Sequence, residues 1–292
     1  MIAETNYCAE AVDALQKLAG ASICPPDISG LCAKLSSGIN QAVKFRLPDN
    51  GDLLGWHSMT PPRSVGDLIK TYAQPFRLPY DAVALEYQCP MDQNNEKNFD
   101  ASVVLAVQTG DGISIGYASR TLHDQGGKFW VPGDFACTIY PNGTWGFGGT
   151  IPASQSILDN LPEDAQNSRI SEEMGWEIMA IVQLIAALAC RNVTQRVCSP
   201  NAALQKKRAK NGRFPLYSYR ILEIDEGRAA SGERHGSHAS PRVHLRRGHI
   251  RRLPDRNVWV NACVVGNKAM GMVAKDYAFK PDTGPKIAER MH

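Results

Sequence analysis

The sequence predicts an α+β fold: an antiparallel sheet with packed helices, including one long buried helix, followed by a C-terminal antiparallel β-meander. Short β-branched and aromatic runs, separated by Gly- and Asn-containing turns, occupy residues 80–150. A long apolar segment and a second set of strand-like runs follow them. The chain has 292 residues, 43% of them hydrophobic, so its composition excludes wholesale disorder and its length favours about two domains.

Two helices are predicted before the first strands. The first runs from Ala9 to Ala19, where apolar residues recur at helical spacing. The second begins at Pro61-Pro62, because proline is favoured in the first turn of a helix. Its apolar stripe consists of Val65, Leu68, Ile69 and Tyr72.

Six short strands are predicted between residues 80 and 150. They are Ala82 to Tyr87, Ser102 to Gln108, Gly112 to Ala118, Lys128 to Val131, Ala136 to Tyr140 and Thr144 to Phe147. The separators include Thr109-Gly110-Asp111-Gly112 and Pro141-Asn142-Gly143, which are typical of hairpins because Gly and Asn accept positive φ at low cost. An antiparallel sheet is therefore expected here.

The longest predicted helix follows this sheet. Ser168 or Ser171 can cap its start, and apolar residues surround it from Ile178 to Ala189, so it is expected to be buried on most sides. This apolar stretch is shorter than the roughly twenty residues that cross a bilayer, so no membrane span is expected.

The last third of the chain is predicted to be basic and rich in strands. The segment from Lys206 to Arg213 is interpreted as a basic linker or loop. The strands expected to form the meander are Leu216 to Ile224, Arg242 to Leu253, Val258 to Val265 and Met270 to Phe279. We therefore predict an α+β scaffold region over residues 1–198 and a basic C-terminal β-rich module over residues 199–292, which can also pack as one domain with the scaffold.

The formal net charge of +3 averages two unlike parts of the chain. From Arg191 to Arg256 there are 16 basic and 5 acidic residues, a charge of +11, and the remainder carries −8. A block of this size typically marks a surface that binds an anion, most often nucleic acid. A solvated basic face with no partner remains the alternative.

Within this block, histidines and arginines concentrate in one predicted strand. Four of the seven histidines lie between Arg234 and Arg252, and no acidic residue occurs from Pro241 to Arg252. A β-bulge at Arg247-Gly248 would reset the alternation of the strand. One face would then carry Val243, Leu245, Ile250 and Arg252, and the other His244, Arg246, His249 and Arg251.

This pattern suits cleavage of RNA without a metal. One imidazole can take the 2′-OH proton while another protonates the departing 5′-oxygen, and imidazole ordinarily titrates near neutral pH. Arginine can hold the phosphate and stabilise the charge of the transition state. The predicted catalytic residues are His244, His249, Arg247 and Arg251, and the predicted nucleic-acid-binding residues are Arg242, Arg246, Arg252, Lys206, Lys207, Arg208, Lys210 and Arg213. Simple phosphate binding by the same residues carries at least equal weight.

Other interpretations of the polar residues are weaker. His235 and His238 with His244 and His249 provide enough imidazoles for zinc, but the adjacent arginines would repel a dication, so no metal or other cofactor is predicted. Glu86 lies in an apolar strand, where a functional buried carboxylate is conceivable and a solvent-facing one is commoner.

The expected location is the cytoplasm. The N-terminal residues lack the basic and apolar regions of a secretory signal. The eight cysteines are scattered and form no CxxC pair, which favours reduced thiols over a disulfide framework.

The run HASPRVHLRRGHIRRL, from His238 to Leu253, is followed by Val258-Trp259-Val260 and Lys275-Asp276-Tyr277. This combination resembles a group of bacteriophage- and prophage-encoded proteins for which no activity is established. Leu78-Pro79-Tyr80 and Ala84-Leu85-Glu86-Tyr87 are similar to the upstream part of the same proteins. The resemblance implies no catalytic residue. It implies a protein that is made inside a bacterial host cell and acts on host or phage nucleic acid, or on a defence system.

Three classes of function follow from these observations. The preferred hypothesis is a phage-associated protein that interacts with nucleic acid and acts as a metal-independent endoribonuclease. RNA is favoured over DNA as its partner. The second is a non-enzymatic nucleic-acid-binding regulator, or an inhibitor that binds a host defence complex. The third is a structural or assembly protein of a virion, for which stable self-association would be diagnostic. A membrane partner is not expected.

Overall fold

The computed structural model describes most of the chain, in two compact units. The described residues are 6–56, 64–89, 99–122, 127–150, 160, 162–224, 242–246, 249–260, 263–265 and 267–272, with the backbone alone for 147–150, 163–173, 242–246, 263–265 and 267–272. The first unit comprises Met1–Ala189 and Val193–Glu223, and the second comprises Cys190–Asn192 and Ile224–His292. The first unit thus includes residues 199–223, which the sequence analysis assigned to the C-terminal module.

The described part of the first unit contains five helices and nine strands, and six of the strands follow one another with no described helix between them. The helices are α1 (Tyr7–Ala19), α2 (Pro26–Gln41), α3 (Val65–Tyr72), α4 (Glu163–Leu188) and α5 (Ala202–Lys210), with a 3-10 turn at Asp49–Gly51. The strands are β1 (Val43–Arg46), β2 (Ala82–Gln88), β3 (Phe99–Thr109), β4 (Gly112–Leu122), β5 (Lys128–Pro132), β6 (Phe135–Ile139), β7 (Trp145–Thr150), β8 (Val193–Cys198) and β9 (Tyr219–Ile224).

These nine strands form one mixed sheet. Their order is β7-β6-β4-β3-β2-β1-β9-β8, and β5 also pairs with β4. The pairs formed among β2 to β7 are antiparallel, as the hairpin turns predict. In contrast, β1 runs parallel to β2 and to β9. A purely antiparallel sheet is therefore too simple, because the connection from β1 to β2 contains α3 and returns the chain in the same direction.

Helices cover both faces of this sheet. Ala84 on β2 belongs to a hydrophobic cluster with Leu15 of α1 and Ile39 of α2. Tyr87 lies on the other face of β2 from Ala84. Its hydroxyl is 3.5 Å from Oε1 of Glu177 on α4, within hydrogen-bond distance. Because side chains alternate between the faces of a strand, β2 is buried on both sides from Val83 to Tyr87.

Helix α4 packs against the face of the sheet opposite α1 and α2. It begins at Glu163 after Pro162, so neither Ser168 nor Ser171 caps it. Met174, Ile178 and the run from Ala180 to Ala187 are buried. Since the side chains of its first part lie outside the described residues, burial along the whole helix stays a prediction.

A glycine permits the 3-10 turn to approach both β2 and α4 closely. Gly51 has a φ of +66°, and a Cβ atom there would lie 2.9 Å from Ala180 Cβ and 3.1 Å from Tyr87 Cε1. Both the backbone angle and the lack of space therefore favour glycine at this position.

The described part of the second unit contains short strands. They are β10 (Arg242–Arg246), β11 (His249–Arg252), β12 (Asn257–Val260), β13 (Cys263–Val265) and β14 (Asn267–Met272). The central strand of one sheet is β10, antiparallel to β13 and parallel to β14, whereas β11 and β12 form a separate antiparallel pair. The expected single meander is therefore wrong in its connectivity.

Two further expectations change. The predicted basic linker from Lys206 to Arg213 is largely helical, as α5, and β9 joins the large sheet rather than the C-terminal strands. The sequence analysis also predicted no element at α2, β1 or β8. The predicted helices at Ala9 to Ala19 and after Pro61-Pro62 correspond to α1 and α3, although residues 61–63 lie outside the described range.

None of the helices in the described ranges is long and apolar enough to cross a membrane. The cysteines from Cys8 to Cys198, whose side chains the structure describes, are free thiols.

Candidate nucleic-acid interface

Helix α5 is fixed at both ends by local hydrogen bonds. At its start, the Asn201 side chain accepts hydrogen bonds from the backbone N–H groups of Ala203 (2.8 Å) and Leu204 (3.2 Å). At its end, Gly212 adopts a φ of +62° and its N–H donates to the carbonyl of Ala209. Basic side chains in the last turn interact favourably with the negative end of the helix dipole. These features explain why the segment is a helix rather than a loop.

One side of α5 is held against the segment that follows it. The Gln205 side chain donates to the carbonyl of Leu216 (2.7 Å) and accepts from its N–H (3.0 Å). Arg208 Nε donates to the carbonyl of Phe214 (2.8 Å). Arg208, predicted to bind nucleic acid, therefore uses part of its guanidinium to anchor the helix.

The opposite side of α5 is exposed and cationic. Successive residues of a helix are about 100° apart, so Lys206, Lys207 and Lys210 lie within an arc of about 100°, away from Gln205 and Arg208. All three lysines and Arg213 are exposed, and no ion pair involves them among the described residues. No Asp or Glu occurs in the sequence from residue 178 to 222. We call Lys206, Lys207, Lys210 and Arg213 the α5 basic face.

The strand pair β11–β12 carries the described part of the His/Arg segment. His249 pairs with Val260, Ile250 with Trp259 and Arg251 with Val258. Ile250 is buried, His249 is half-buried, and Arg251 and Arg252 are exposed. By strand alternation His249 and Arg251 share one face, and Ile250 and Arg252 share the other, as the predicted pattern requires.

A side chain outside the strands holds β12 in place. Asn192 Nδ2 donates to the carbonyl of Trp259 (2.9 Å), and the Trp259 N–H donates to Asn192 Oδ1 (2.8 Å). The N–H of Arg191 donates to the carbonyl of Asn257 (3.0 Å). The side-chain amide of Asn192 thus forms the two hydrogen bonds that a peptide group of a neighbouring strand would form with β12. Since β12 pairs with β11, these bonds also support the strand that carries His249.

The predicted continuous strand from Arg242 to Leu253 is divided between two sheets. Arg242, His244 and Arg246 lie on β10, and His249, Arg251 and Arg252 lie on β11. Arg247 and Gly248, where the bulge was predicted, lie outside the described residues, as do the side chains of β10. The approach of His244 to His249 therefore stays a prediction. His235 and His238 also lie outside, and no group of three metal-ligating residues occurs in the described ranges.

Glu86 is buried, contrary to the preferred expectation of a solvent-facing side chain. It is 1% exposed. Its Oε2 accepts a hydrogen bond from the backbone N–H of Cys8 (2.9 Å), and its Oε1 accepts from Arg46 Nε (2.8 Å) and Nη2 (2.6 Å). Burial, followed by the charge of Glu86, raises the pKa of the Cys8 thiol well above its ordinary value. The sequence did contain a signal for this burial: the residues around Glu86 are apolar on both faces of the strand, which is typical of a strand that is buried on both sides.

This ionic cluster is best explained as structural. Both oxygens of Glu86 already accept hydrogen bonds, and the Arg46 guanidinium also donates from Nη1 to the hydroxyl of Tyr219 (3.0 Å). Arg46 lies 3.9 Å above the centre of the Tyr219 ring. The cluster therefore links α1, β1, β2 and β9, and its carboxylate is paired with Arg46 and buried away from solvent.

Two basic features of the described residues can bind an anion, namely the α5 basic face and the β11 strand with His249, Arg251 and Arg252. Since they belong to different compact units, each is considered by itself. Comparisons of the chain with protein-family models, with curated proteins and with solved structures find no match.

Proposed function

We propose that the protein binds nucleic acid, RNA in preference to DNA, through the basic part of its sequence, and that it cleaves RNA there without a metal ion. The observation that carries the binding is the α5 basic face, on which four exposed cations occur without an acidic neighbour in the sequence from residue 178 to 222. Cations that are not neutralised within the protein are suited to phosphate groups, because binding then releases counterions from the nucleic acid.

The cleavage is assigned to His244 and His249. One imidazole removes the proton of a 2′-OH, the resulting oxygen attacks the adjacent phosphorus, and the other imidazole protonates the 5′-oxygen as it leaves. Arg247 and Arg251 neutralise the charge that develops on the phosphoryl oxygens. The half-buried position of His249 on the same strand face as exposed Arg251 supports this assignment.

The first prediction tests the cleavage directly. Purified protein should cut labelled RNA in the presence of a chelator, and His244→Ala/His249→Ala should abolish the cleavage because both proton transfers are lost. The measurement is the distribution of RNA fragments on a denaturing gel. His235→Ala/His238→Ala removes two imidazoles from the same segment and should leave cleavage unchanged. Intact RNA with the wild-type protein, or equal cleavage by the His244/His249 variant, would show that the chain is not this kind of nuclease.

The second candidate is a binder without catalysis, either a regulator or an inhibitor of a host defence complex. The observation that favours it is that the α5 basic face contains no histidine and needs no chemistry to bind phosphate. In that case the affinity for nucleic acid falls steeply with salt, while His244→Lys, which supplies a positive charge at neutral pH, leaves binding intact.

The biological setting forms part of the same proposal. The resemblance of the His238 to Leu253 segment to proteins of bacteriophages and prophages supports a role in the cytoplasm of an infected bacterium. Isolating the protein from bacterial cells and identifying what remains bound would separate the two candidates, because a nucleic acid and a host protein complex indicate different functions.

A further inference from the structure

We infer that the α5 basic face binds the phosphate backbone of a double-stranded nucleic acid and does not recognise its bases. The inference depends on the proposed function, which requires nucleic-acid binding, and specifies the form of nucleic acid that this surface accepts. It is carried by the placement of cations on α5, by the contacts of its other polar side chains and by the aromatic rings of the segment that follows.

The cations are held on a rigid support. Lys206 and Lys210 lie one helical turn apart, about 6 Å along the axis, and Lys207 lies beside them. The hydrogen bonds of Asn201 and Gly212 fix the ends of the helix, and those of Gln205 and Arg208 fix its inner side. A rigid helix thus presents its lysines as one patch, which suits the high charge density of a duplex, whose two strands place one negative charge about every 1.7 Å along the axis.

The side chains of α5 that are best suited to reading bases are held by the segment that follows the helix, Gln205 through its amide and Arg208 through its Nε. Glutamine and arginine recognise bases through paired hydrogen bonds. Here Gln205 forms such a pair with the backbone of Leu216, and Arg208 donates to Phe214. Of the four cations of the α5 basic face, only Arg213, which follows the helix, is an arginine; the three on the helix are lysines, compact charges with flexible stems, which favours contacts to phosphate without a fixed register.

The aromatic rings that follow α5 are occupied and do not form a platform for unpaired bases. Phe214 and Tyr217 contact each other edge to face, with centroids 5.8 Å apart, and pack against the hydrophobic cluster of α1 and α2. Lys44 Nζ lies 4.1 Å from the centre of the Tyr217 ring, and Arg46 covers Tyr219. Single-stranded sites typically stack bases on such rings, whereas a duplex keeps its bases stacked internally.

The test compares two variants with the same change in charge. Lys206→Gln/Lys207→Gln/Lys210→Gln removes three cations of the α5 basic face, and glutamine is a good helix former. The matched control is Lys17→Gln/Lys34→Gln/Lys70→Gln, which removes three exposed lysines from α1, α2 and α3. The probes are 2′-O-methyl RNA in duplex and single-stranded form, because it lacks the 2′-OH that cleavage requires, and anionic phospholipid vesicles.

Binding is measured by fluorescence polarisation as a function of salt, with sedimentation for the vesicles. We expect tighter binding of the duplex than of the single strand, and equal affinity for duplexes of different sequence. The slope of log K against log salt should fall by about two to three in the α5 variant, as expected for three lost phosphate contacts, and should not change in the control.

Three results would overturn the inference while leaving nucleic-acid binding intact: an unchanged slope in the α5 variant, tighter binding of the single strand, or a sequence preference of about tenfold or more, the size of one base contact. Binding of the wild-type protein to vesicles but to no nucleic acid would overturn both the inference and the proposed function.

Discussion

Glu86 and Glu223 each accept hydrogen bonds from an arginine on the neighbouring strand, but their surroundings differ. Glu86 and Arg46 are 1% and 25% exposed, whereas Glu223 and Arg196 are 47% and 54% exposed. Removing one partner of a buried pair leaves the other charge without compensation, while an exposed charge returns to water. The same type of contact therefore has different consequences for the free energy of unfolding.

The second prediction concerns Glu86→Gln. Glutamine still accepts a hydrogen bond from Cys8 but leaves the Arg46 charge without its carboxylate. We expect the free energy of unfolding to fall by about 2–3 kcal/mol, less than for a fully buried pair because Arg46 reaches solvent in part. Urea unfolding measures this change. Glu223→Gln should leave the unfolding midpoint unchanged, and an equal loss in both variants would show that burial does not determine the effect.

The third prediction concerns acid stability through Asp100. Burial raises the pKa of Asp100, but hydrogen bonds from Arg120 and Lys128 outweigh it, so the pKa lies below its ordinary value of 3.8. A lowered pKa in the folded state contributes stability that is fully present above pH 3.8 and is lost as the pH falls through the folded value. Asp100→Asn should therefore be less stable than the wild type at neutral pH, and the difference should shrink in acid.

Urea unfolding of both proteins from neutral pH to below pH 3.8 measures this difference. A difference that stays constant over that range would mean that Asp100 does not titrate differently in the folded and unfolded states.

At the scale of elements, the pair β11–β12 depends on Asn192. Its amide replaces a neighbouring strand by bonding both the carbonyl and the N–H of Trp259. The fourth prediction is that Asn192→Ala exposes these backbone groups and speeds hydrogen exchange at His249–Arg252, as measured by mass spectrometry. Asn201→Ala, which removes the cap of α5, should leave that exchange unchanged. Equal protection in Asn192→Ala would show that β12 is held by other contacts.

Helix α5 illustrates what the sequence alone could not decide. Its run of lysines and the following Asn211-Gly212 are equally compatible with a basic loop and with a helix that ends at a glycine. The Gln205 and Arg208 contacts to Leu216 and Phe214 favour the helix, and they form only when the chain turns back. Charge was therefore predictable from composition, whereas the orientation of the charges was not.

At the scale of the whole molecule, local patterns predicted most of the sheet but not its centre. The hairpins from β2 to β7 follow from Gly and Asn turns and from alternating apolar residues. The strand β1 has only four residues, too few to show a clear period, and its parallel partners are distant in sequence. The strand β9 was assigned to the C-terminal strands because nothing local in Tyr219–Ile224 indicates a partner near residue 45.

In the candidate site, as in the large sheet, the sequence predicted the local arrangement of side chains but not the pairing of distant strands. The face shared by His249 and Arg251 agrees with simple strand alternation on β11. The division of the His/Arg segment between two sheets depends instead on the pairing of β10 with β13 and β14, which involves strands later in the chain. Periodicity describes one strand at a time, so it predicted the alternation but not the partner strands.

The position of β1 between β2 and β9 has a consequence for synthesis on the ribosome. Phe45 pairs with Arg220, and Asn6 Nδ2 donates to the carbonyl of Tyr217, 211 residues later. A nascent chain that ends before residue 217 would therefore present β1 with one unpaired edge, which is the kind of surface that recruits other strands. The first unit can complete its sheet only after nearly all of it has been translated, so the contacts of Asn6 and Phe45 with residues 217 to 220 form late.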